Sequence, residues 1–309
     1  MNAIIDIGTN TFHLLIGETD KQSTKIVYKN TIAVKLGEGG GISRKEIIPA
    51  AYQRGLDALL IFRKEINRYP VKSVKATATA AIRDASNGKQ FVADVLTLTN
   101  IKIEIIDGLQ EAFYIYEGAK AAKALNKQTS LIMDIGGGST EFIICNQDGI
   151  FWKESYRLGA ARLLSDFHKN DPLKAEDIQS IHSHFNKTLI ELHQTLKQFL
   201  PTQLVGTAGS FDSYRDIILA KKKQDFRTEN SILFTLDRQE FTALLTQLIQ
   251  SSHQERKVLK GLIALRTDMI LMASVLTQYI LDISKIETVT TCTYSLKEGI
   301  LFGNKPENI

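Results

Sequence analysis

The pattern of hydrophobic and polar positions predicts strands that alternate with helices along the first half of the chain. A stripe of aliphatic residues at helical spacing predicts a helix that ends before Pro70: Leu56, Leu59, Leu60 and Ile66. Period-two alternation and short apolar runs predict strands. In chain order, the elements predicted after a first hairpin are a strand at 25–34, a glycine-rich loop at 37–41, this helix, a strand at 71–78, a polar turn at 83–88, a short helix around 91–96, a strand at 101–105 and a helix at 108–125.

The second half of the chain follows the same plan. The predicted elements are a strand at 151–156, helices at 160–167 and 175–200, a strand at 203–205, a helix-rich stretch, a strand at 286–291 and a short helix at 295–301. Strands that alternate with helices imply an α/β fold with a mixed sheet.

A short internal sequence repeat relates the two halves. The segment IDIGTNT at 5–11 returns 128 positions later as MDIGGGS at 133–139. Each copy has apolar residues, then Asp-Ile-Gly, then a small polar turn that ends in a hydroxyl, then a second apolar run. This pattern is typical of a strand, a tight glycine turn and a returning strand. We therefore predict a duplication, with two similar domains at 1–122 and 123–296 that meet across a cleft.

Composition supports a folded protein of about two domains. Of the 309 residues, 43% are hydrophobic and 23% are charged, and only 5 are proline, which excludes disordered and collagen-like chains. The longest apolar run in the last third, 271–276, is far shorter than the roughly 18 to 20 residues that a membrane helix needs. The first ten residues include Asp6 and no basic leader, so we expect no signal peptide and a cytosolic location.

The net charge of +4 is compatible with an anionic partner. The densest basic cluster comprises Lys221, Lys222, Lys223 and Arg227, and its simpler interpretation is an exposed loop. The two cysteines, Cys145 and Cys292, cannot build a disulfide framework and are expected to be buried thiols.

Several common site motifs are missing from the sequence. The six histidines form no HExxH motif, so we expect no zinc site. GxxxxGK[ST] and GxGxxG are also absent, which argues against P-loop and Rossmann folds. The chain has no helix-turn-helix signature and no basic motif interleaved with aromatic residues, so we expect no nucleic-acid partner.

Two glycine turns carry the candidate chemistry. Consecutive backbone N–H groups without Cβ atoms can wrap a phosphate oxygen. An ordinary hairpin turn, the alternative, would need glycine at only one or two positions. The stronger candidate for anion binding is the turn Gly136, Gly137, Gly138, Ser139 and Thr140. Its companion in the first half is weaker alone, because it has a single glycine: Gly8, Thr9, Asn10 and Thr11.

Acidic residues stand beside both turns. Asp6 and Asp134 each follow an apolar strand, where a carboxylate is costly to bury unless it binds a cation or accepts hydrogen bonds. We interpret both as supports for Mg²⁺, and the alternative is a carboxylate that caps its own turn. Glu141 directly follows the second turn and is expected at the lip of the cleft, or else is an exposed strand residue.

Seven motifs, in this order, resemble the exopolyphosphatase and guanosine pentaphosphate phosphohydrolase family. The resemblance extends over nearly the whole chain. The motifs are DIGTNTFH at 6–13, TAAIRDASNG at 79–88, GLQEA at 108–112, DIGGGSTE at 134–141, LGAARL at 158–163, GTAGS at 206–210 and SLKEG at 295–299. Sugar kinases, actin and Hsp70-type ATPases share the two phosphate loops but not GLQEA or the motif around Arg83.

The resemblance implies a fold of two actin-like, ribonuclease H-like domains, each a mixed β-sheet with flanking helices, on either side of an interdomain cleft. It implies the short form of the family, without the C-terminal helical domain of longer members. In that form the terminal helix, 297–309, is expected to pack back on the first domain.

The resemblance also implies roles for individual residues. Glu111 is the implied general base for the attacking water, although a first-turn glutamate also favours the helix dipole. Arg83 is implied to clamp a phosphate oxygen, and the alternative is an ordinary pairing with Asp84. Asp134 and Glu141 resemble the Mg²⁺-associated and water-orienting carboxylates of the family.

Three further positions follow from the same resemblance. Asp6 occupies the place of Asp134 in the first loop. Gly209 and Ser210 are implied to contact phosphate, whereas His13 stands where many members carry Arg.

Together these features predict a Mg²⁺-dependent hydrolase that releases terminal orthophosphate from inorganic polyphosphate, with guanosine pentaphosphate as the alternative substrate. An actin-like sugar kinase or ATPase, with GTAGS on the adenosine side, and a non-catalytic binder of polyphosphate or an alarmone stay open. The candidates for a basic exit path are Lys221 to Lys223, Arg157 and Arg162. We expect no membrane partner, and apolar stripes in the second half fit a homodimer surface or a core equally well.

Overall fold

The chain forms two compact units. The computed structural model describes residues 1–19, 24–38, 45–223 and 231–303. One unit comprises Met1–Ala121 with the segment that begins at Leu296, and the other comprises Ala122–Ser295. Gly39 to Gly41 of the predicted glycine-rich loop and Arg227 of the basic cluster lie outside the described residues.

The first unit is built on a five-stranded mixed sheet. Its strands are β1 (Asn2–Ile7), β2 (Thr11–Thr19), β3 (Thr24–Ala33), β4 (Ser73–Ala78) and β5 (Ile103–Ile105), and its helices before residue 122 are α1 (Pro49–Ile66), α2 (Ala80–Arg83), α3 (Gly88–Thr99) and α4 (Gly108–Ala121). The strand order is β3-β2-β1-β4-β5. The first three strands pair antiparallel, and β4 and β5 continue the sheet in parallel.

The second unit has a six-stranded sheet and most of the helices. Its strands are β6 (Ser130–Ile135), β7 (Thr140–Cys145), β8 (Ile150–Tyr156), β9 (Gln203–Thr207), β10 (Leu233–Leu236) and β11 (Thr288–Cys292). Its helices are α5 (Ala160–Phe167), α6 (Ala175–Thr188), α7 (Ile190–Phe199), α8 (Ala208–Lys221), α9 (Arg238–Gln250), α10 (His253–Lys257), the 3₁₀ turn Ala264–Arg266 and α11 (Met269–Ile283). The strand order is β10-β11-β9-β6-β7-β8.

The two sheets repeat one topology. In each sheet the first three strands pair antiparallel in chain order. A fourth strand then pairs parallel with the first strand, on the side away from the second. The order β3-β2-β1-β4 therefore corresponds to β8-β7-β6-β9. The predicted fold class, two actin-like α/β units with mixed sheets and flanking helices, is confirmed.

The strands divide their side chains between two faces of each sheet. In β1, Ile5 and Ile7 belong to the main core of the first unit, whereas Ile4 packs on the other face with Leu15 and Leu301. Asp6 shares the face of Ile4, because alternate residues of a strand point the same way. In the second unit β6 and β7 are buried along their whole length. Both cysteines are buried, as expected.

A short helix, α12 (Leu296–Phe302), completes the first unit. Its Gly299 lies so close to α4 that a Cβ there would overlap the carbonyl oxygen of Tyr114. Leu301 packs against Gly17 of β2 in the same way. The terminal helix therefore packs on α4 and the sheet, and residues 304–309 of its expected range lie outside the described residues.

Several elements differ from the predicted ones. Arg83, predicted as the first residue of a turn, is instead the last residue of helix α2. Helix α4 ends at Ala121 rather than 125. The helix predicted at 175–200 breaks at Leu189, a fully buried residue that belongs to neither α6 nor α7. Strand β10 was not predicted, because its four residues become a strand only by pairing with β11.

Membrane-spanning helices are absent from the part of the chain that the structure describes. None of the helices there has the length and apolar character that crossing a bilayer requires.

The close packing of α12 on α4 generates a stability prediction. Gly299→Ala should lower the free energy of unfolding by about 1–3 kcal/mol, because the new methyl group would press on the backbone of α4 rather than on a flexible side chain. Urea denaturation measures the change. The matched control is Gly149→Ala, since a Cβ at Gly149 would meet nothing within 4 Å. Equal stability of the two variants would contradict the described packing.

Candidate functional site

A row of polar side chains crosses the second sheet at the end of β6. Glu141 on β7 lies directly opposite Asp134 on β6, and Thr207 on β9 lies beside Asp134 on its other side. Ser155 on β8 lies opposite Glu141. Because direct cross-strand neighbours project to the same face of a sheet, the four side chains form one continuous row.

Hydroxyl groups satisfy both carboxylates of this row. The Thr207 hydroxyl donates to Asp134 Oδ2 at 2.6 Å, and the Ser295 hydroxyl donates to the same oxygen at 2.5 Å. The Ser155 hydroxyl donates to Glu141 Oε1 at 2.7 Å. Asp134 is 6% exposed and Glu141 only 1%, so these bonds offset a large cost of burial. Glu141 is therefore not the exposed strand residue of the alternative interpretation.

The first sheet carries the counterpart of this row. Asp6 on β1 lies between His13 on β2 and Thr77 on β4, and Thr31 on β3 lies opposite His13. The His13 ring joins two hydroxyls, with Nε2 at 2.8 Å from Thr11 Oγ1 and Nδ1 at 3.0 Å from Thr31 Oγ1. The duplication thus extends to side chains, with a histidine in the first unit where the second has a glutamate.

The glycine turn of the second unit packs on the first turn of α5. The carbonyl of Gly136 accepts from the N–H of Ala160, and the carbonyl of Gly137 accepts from the N–H groups of Ala161 and Arg162. The carbonyl of Gly138 accepts from Arg162 Nε at 3.0 Å. These bonds also satisfy N–H groups that a helix start leaves without intrahelical partners.

This packing determines where the N–H groups of the turn point. In a trans peptide the carbonyl of one residue and the N–H of the next point in opposite directions. Since the carbonyls of Gly136, Gly137 and Gly138 face α5, the N–H groups of Gly137, Gly138 and Ser139 face away from it. Three successive N–H groups on one side of a turn are an arrangement that binds anions.

The glycine turn of the first unit has the same closure. The Gly8 N–H donates to the Thr11 carbonyl at 3.1 Å, as the Gly136 N–H donates to the Ser139 carbonyl at 3.0 Å. The Thr9 carbonyl accepts from the N–H of Gly37, and the Asn10 carbonyl accepts from those of Val34 and Lys35, so the N–H groups that follow these carbonyls point the other way. Both predicted phosphate loops therefore share the same hydrogen-bonded closure.

Two predicted catalytic residues of the first unit lie together. Arg83 Nη1 is 3.6 Å from Glu111 Oε2 and donates to the Ile106 carbonyl at 2.9 Å. Its distance to the Asp84 carboxylate is longer, 4.0 Å. Glu111 lies in the first turn of α4, whose start is fixed by a reciprocal pair of hydrogen bonds. The Asp107 N–H donates to the Gln110 side chain, and the Gln110 N–H donates to the Asp107 side chain. Arg83 is thus positioned by a backbone carbonyl and lies nearer to Glu111 than to Asp84.

Arg266 is a candidate that the sequence did not reveal. Its guanidinium lies on Gly209, where an added Cβ would overlap it. Ser210, the next predicted phosphate contact, is buried. Ala208, which precedes Gly209, adopts a left-handed φ of 61°, which costs energy for a residue other than glycine. Burial lowers the pKa of Arg266, while the charges of Asp212 and Asp216 oppose that shift. The Arg266 guanidinium thus adjoins the Gly209–Ser210 segment. Because Arg266 is far from this segment in the sequence, no local motif could have predicted the contact.

The predicted basic exit path is only partly exposed. Lys221 and Lys222 are exposed and contact Gln247 and Glu240, respectively. Arg162 is buried and bonded to the Gly138 carbonyl, so it holds the glycine turn and does not line an exposed path.

The residues of the second row fit a magnesium ion. The described ranges contain no group of three or more His, Cys, Asp or Glu that could enclose a metal. Mg²⁺ does not need one, because it keeps several waters and binds through one or two carboxylates together with substrate phosphates. Asp134 and Glu141, which face each other across β6 and β7, supply this kind of oxygen donor.

The duplicated sheets define a two-unit protein of the actin-like class. The model of the Ppx/GppA phosphatase family matches residues 15–308, and the chain belongs to this family. It is 37% identical to the crystal structure of an exopolyphosphatase from Cytophaga hutchinsonii, with a TM-score of 0.93 over 97% of this chain and 96% of that one.

Two curated relatives are longer. The chain is 32% identical to a bifunctional 3-dehydroquinate synthase/phosphatase of Fusobacterium nucleatum, over 91% of this chain and 43% of the relative. It is 28% identical to a guanosine-5'-triphosphate,3'-diphosphate pyrophosphatase of Aliivibrio fischeri, over 98% of this chain and 59% of the relative. The chain thus spans about half the length of these relatives.

The contact between the glycine turn and α5 can be tested at Gly159. A Cβ there would overlap the backbone of Gly137 and Gly138, so Gly159→Ala should push the turn off the helix. We expect amide hydrogen exchange at residues 160–162 to accelerate at least about tenfold, since their N–H groups lose the turn carbonyls. Mass spectrometry of exchanged peptides measures it. Gly149→Ala is the control, and unchanged exchange in Gly159→Ala would contradict the described bonds.

Proposed function

We propose that the protein is a Mg²⁺-dependent exopolyphosphatase that hydrolyses the terminal phosphoanhydride of inorganic polyphosphate. The observation that carries the proposal is the turn at 136–140. Three of its N–H groups face away from α5, and the turn stands in the chain between the buried carboxylates of Asp134 and Glu141. The similarity to an exopolyphosphatase structure supports the same substrate class.

The reaction needs a base for the attacking water. Glu111 takes a proton from water as its oxygen attacks the terminal phosphorus. The bond from that phosphorus to the bridging oxygen breaks, which releases orthophosphate and leaves the negative charge on the shortened chain. A positioned general base contributes roughly 10²- to 10⁴-fold to such a rate. Arg83, 3.6 Å from Glu111 Oε2, orients this carboxylate and is placed to bind a phosphate oxygen.

The remaining barrier is one of charge and alignment. The N–H groups of the glycine turn at 136–140 bind phosphate oxygens and stabilise the negative charge that spreads over them in the transition state. Gly209 and Ser210, with the guanidinium of Arg266 beside them, extend the phosphate-binding surface. Asp134 and Glu141 would hold Mg²⁺, and the ion would neutralise phosphate charge.

A second substrate is supported by a specific relative. The guanosine-5'-triphosphate,3'-diphosphate pyrophosphatase of Aliivibrio fischeri matches 98% of this chain. Guanosine pentaphosphate ends in the same phosphoanhydride as polyphosphate, so the same residues would act on it. The cytosolic location and the homodimer expected from the sequence stay predictions.

The role of Glu111 gives a kinetic prediction. Glu111→Gln should lower kcat at least about 100-fold while KM changes only a few-fold, because the amide keeps the shape but cannot accept the proton. Glu117→Gln, the same change in a buried residue of the same helix, is the control and should keep kcat. Steady-state release of orthophosphate measures both. A kcat for Glu111→Gln near that of the unaltered protein would remove Glu111 as the base.

The substrate itself is tested by a parallel assay. We expect orthophosphate release from long-chain polyphosphate with Mg²⁺, a lower kcat/KM for guanosine pentaphosphate, and loss of both activities with a chelator. A large preference for the nucleotide would replace the first substrate by the second. Transfer of phosphate from ATP to a sugar would indicate a kinase, and binding of polyphosphate without turnover would indicate a binding protein.

A further inference from the structure

Asp134 is held by two hydroxyl groups from distant parts of the chain. Thr207 ends the neighbouring strand β9, and Ser295 stands outside the sheet, between β11 and α12. Both hydroxyls donate to Oδ2, at 2.6 and 2.5 Å. A hydroxyl has a single proton to donate, so each group directs that proton to the aspartate. Two donors on one carboxylate oxygen fix the rotation of the carboxylate, which is otherwise a soft torsion.

The equivalent aspartate of the first unit lacks the counterpart of the Thr207 bond. Thr77 takes the place of Thr207 in the register of the first sheet, but its hydroxyl donates to the Ile5 carbonyl at 3.5 Å. The hydroxyl bond to the aspartate from the parallel strand is therefore a feature of the second unit and not a general property of the duplicated fold.

Of the two donors, Ser295 is the one whose position near Asp134 does not follow from strand pairing. It is 9% exposed and is the last residue of the second unit, directly before Leu296 of α12. Its hydroxyl reaches Asp134 across 161 positions of sequence. Thr207, in contrast, is a register neighbour of Asp134 in the sheet, and any polar residue there would lie close to it.

We propose that Ser295 is a positioning residue that orients the Asp134 carboxylate for Mg²⁺. The bonds from Ser295 and Thr207 to Oδ2 hold the Asp134 carboxylate in one orientation. This inference rests on the proposed function. Partners that orient a metal-binding side chain typically change metal affinity or activity 10- to 100-fold when removed.

The test compares Ser295→Ala with Ser295→Thr, which keeps the hydroxyl. For Ser295→Ala we expect the Mg²⁺ concentration at half-maximal orthophosphate release to rise about tenfold or more. At saturating Mg²⁺ its kcat should recover to within a few-fold of the unaltered protein. Ser295→Thr should restore the Mg²⁺ requirement, because a donor stands again at the same position.

A second readout does not depend on turnover. The affinity of the substrate-free protein for Mn²⁺, a spectroscopic substitute for Mg²⁺, should fall by a similar factor in Ser295→Ala when measured by electron paramagnetic resonance. The matched control is Ser274→Ala, which removes a more deeply buried hydroxyl that donates to the Ile270 carbonyl within α11. This control should change stability without changing either metal measurement.

The outcomes separate the two proposals. An unaltered Mg²⁺ requirement and Mn²⁺ affinity in folded Ser295→Ala would overturn the role of Ser295 even if the protein hydrolyses polyphosphate. Absence of turnover in the unaltered protein would overturn the proposed function, while the Mn²⁺ measurement would still test Ser295. If Ser295→Ala does not fold, Ser295→Cys takes its place, because a thiol has similar size but is a weak donor. Unchanged Mn²⁺ affinity in that variant would equally overturn the role.

Discussion

Burial of carboxylates at the ends of sheet strands is the constraint on which the candidate site depends. Asp134 and Glu141 are almost inaccessible, and a buried charge is stable only when hydrogen bonds replace its water. The donors are hydroxyls of Thr207, Ser295 and Ser155, which come from three different parts of the second unit. The site is therefore assembled by the fold of that whole unit, and its carboxylates are oriented before any ligand binds.

The glycine turn and α5 depend on each other in a similar way. The start of α5 needs acceptors for its N–H groups, and the carbonyls of the turn supply them. Because the carbonyl and the N–H of one peptide group point in opposite directions, the same bonds direct three N–H groups of the turn away from the helix. Gly159 allows this because a side chain there would overlap the turn. An anion-binding arrangement thus arises from the ordinary requirement that buried backbone groups be paired.

Duplication explains the common plan of the units, and divergence explains their different chemistry. The rows Thr31, His13, Asp6, Thr77 and Ser155, Glu141, Asp134, Thr207 occupy matching places in the two sheets. A histidine bonded to two hydroxyls stands where the second unit has a buried glutamate. The unit with two acidic residues in its row is the one suited to a cation, whereas the first unit adds the Arg83–Glu111 pair from its helices.

Local pattern determined the elements, the repeat and the two glycine turns. The stripe of α1, the bounds of α5 and the repeat at 5–11 and 133–139 are properties of neighbouring residues, so they could be predicted from the sequence. The family resemblance drew attention to Glu111 and Arg83 through motifs of the same local kind. Only tertiary structure decided that β10 is a strand, that Arg266 lies on Gly209 and that Ser295 bonds to Asp134. Each of these joins residues far apart in the chain, and such contacts follow from packing of the folded unit, which leaves no periodicity or spacing in the sequence.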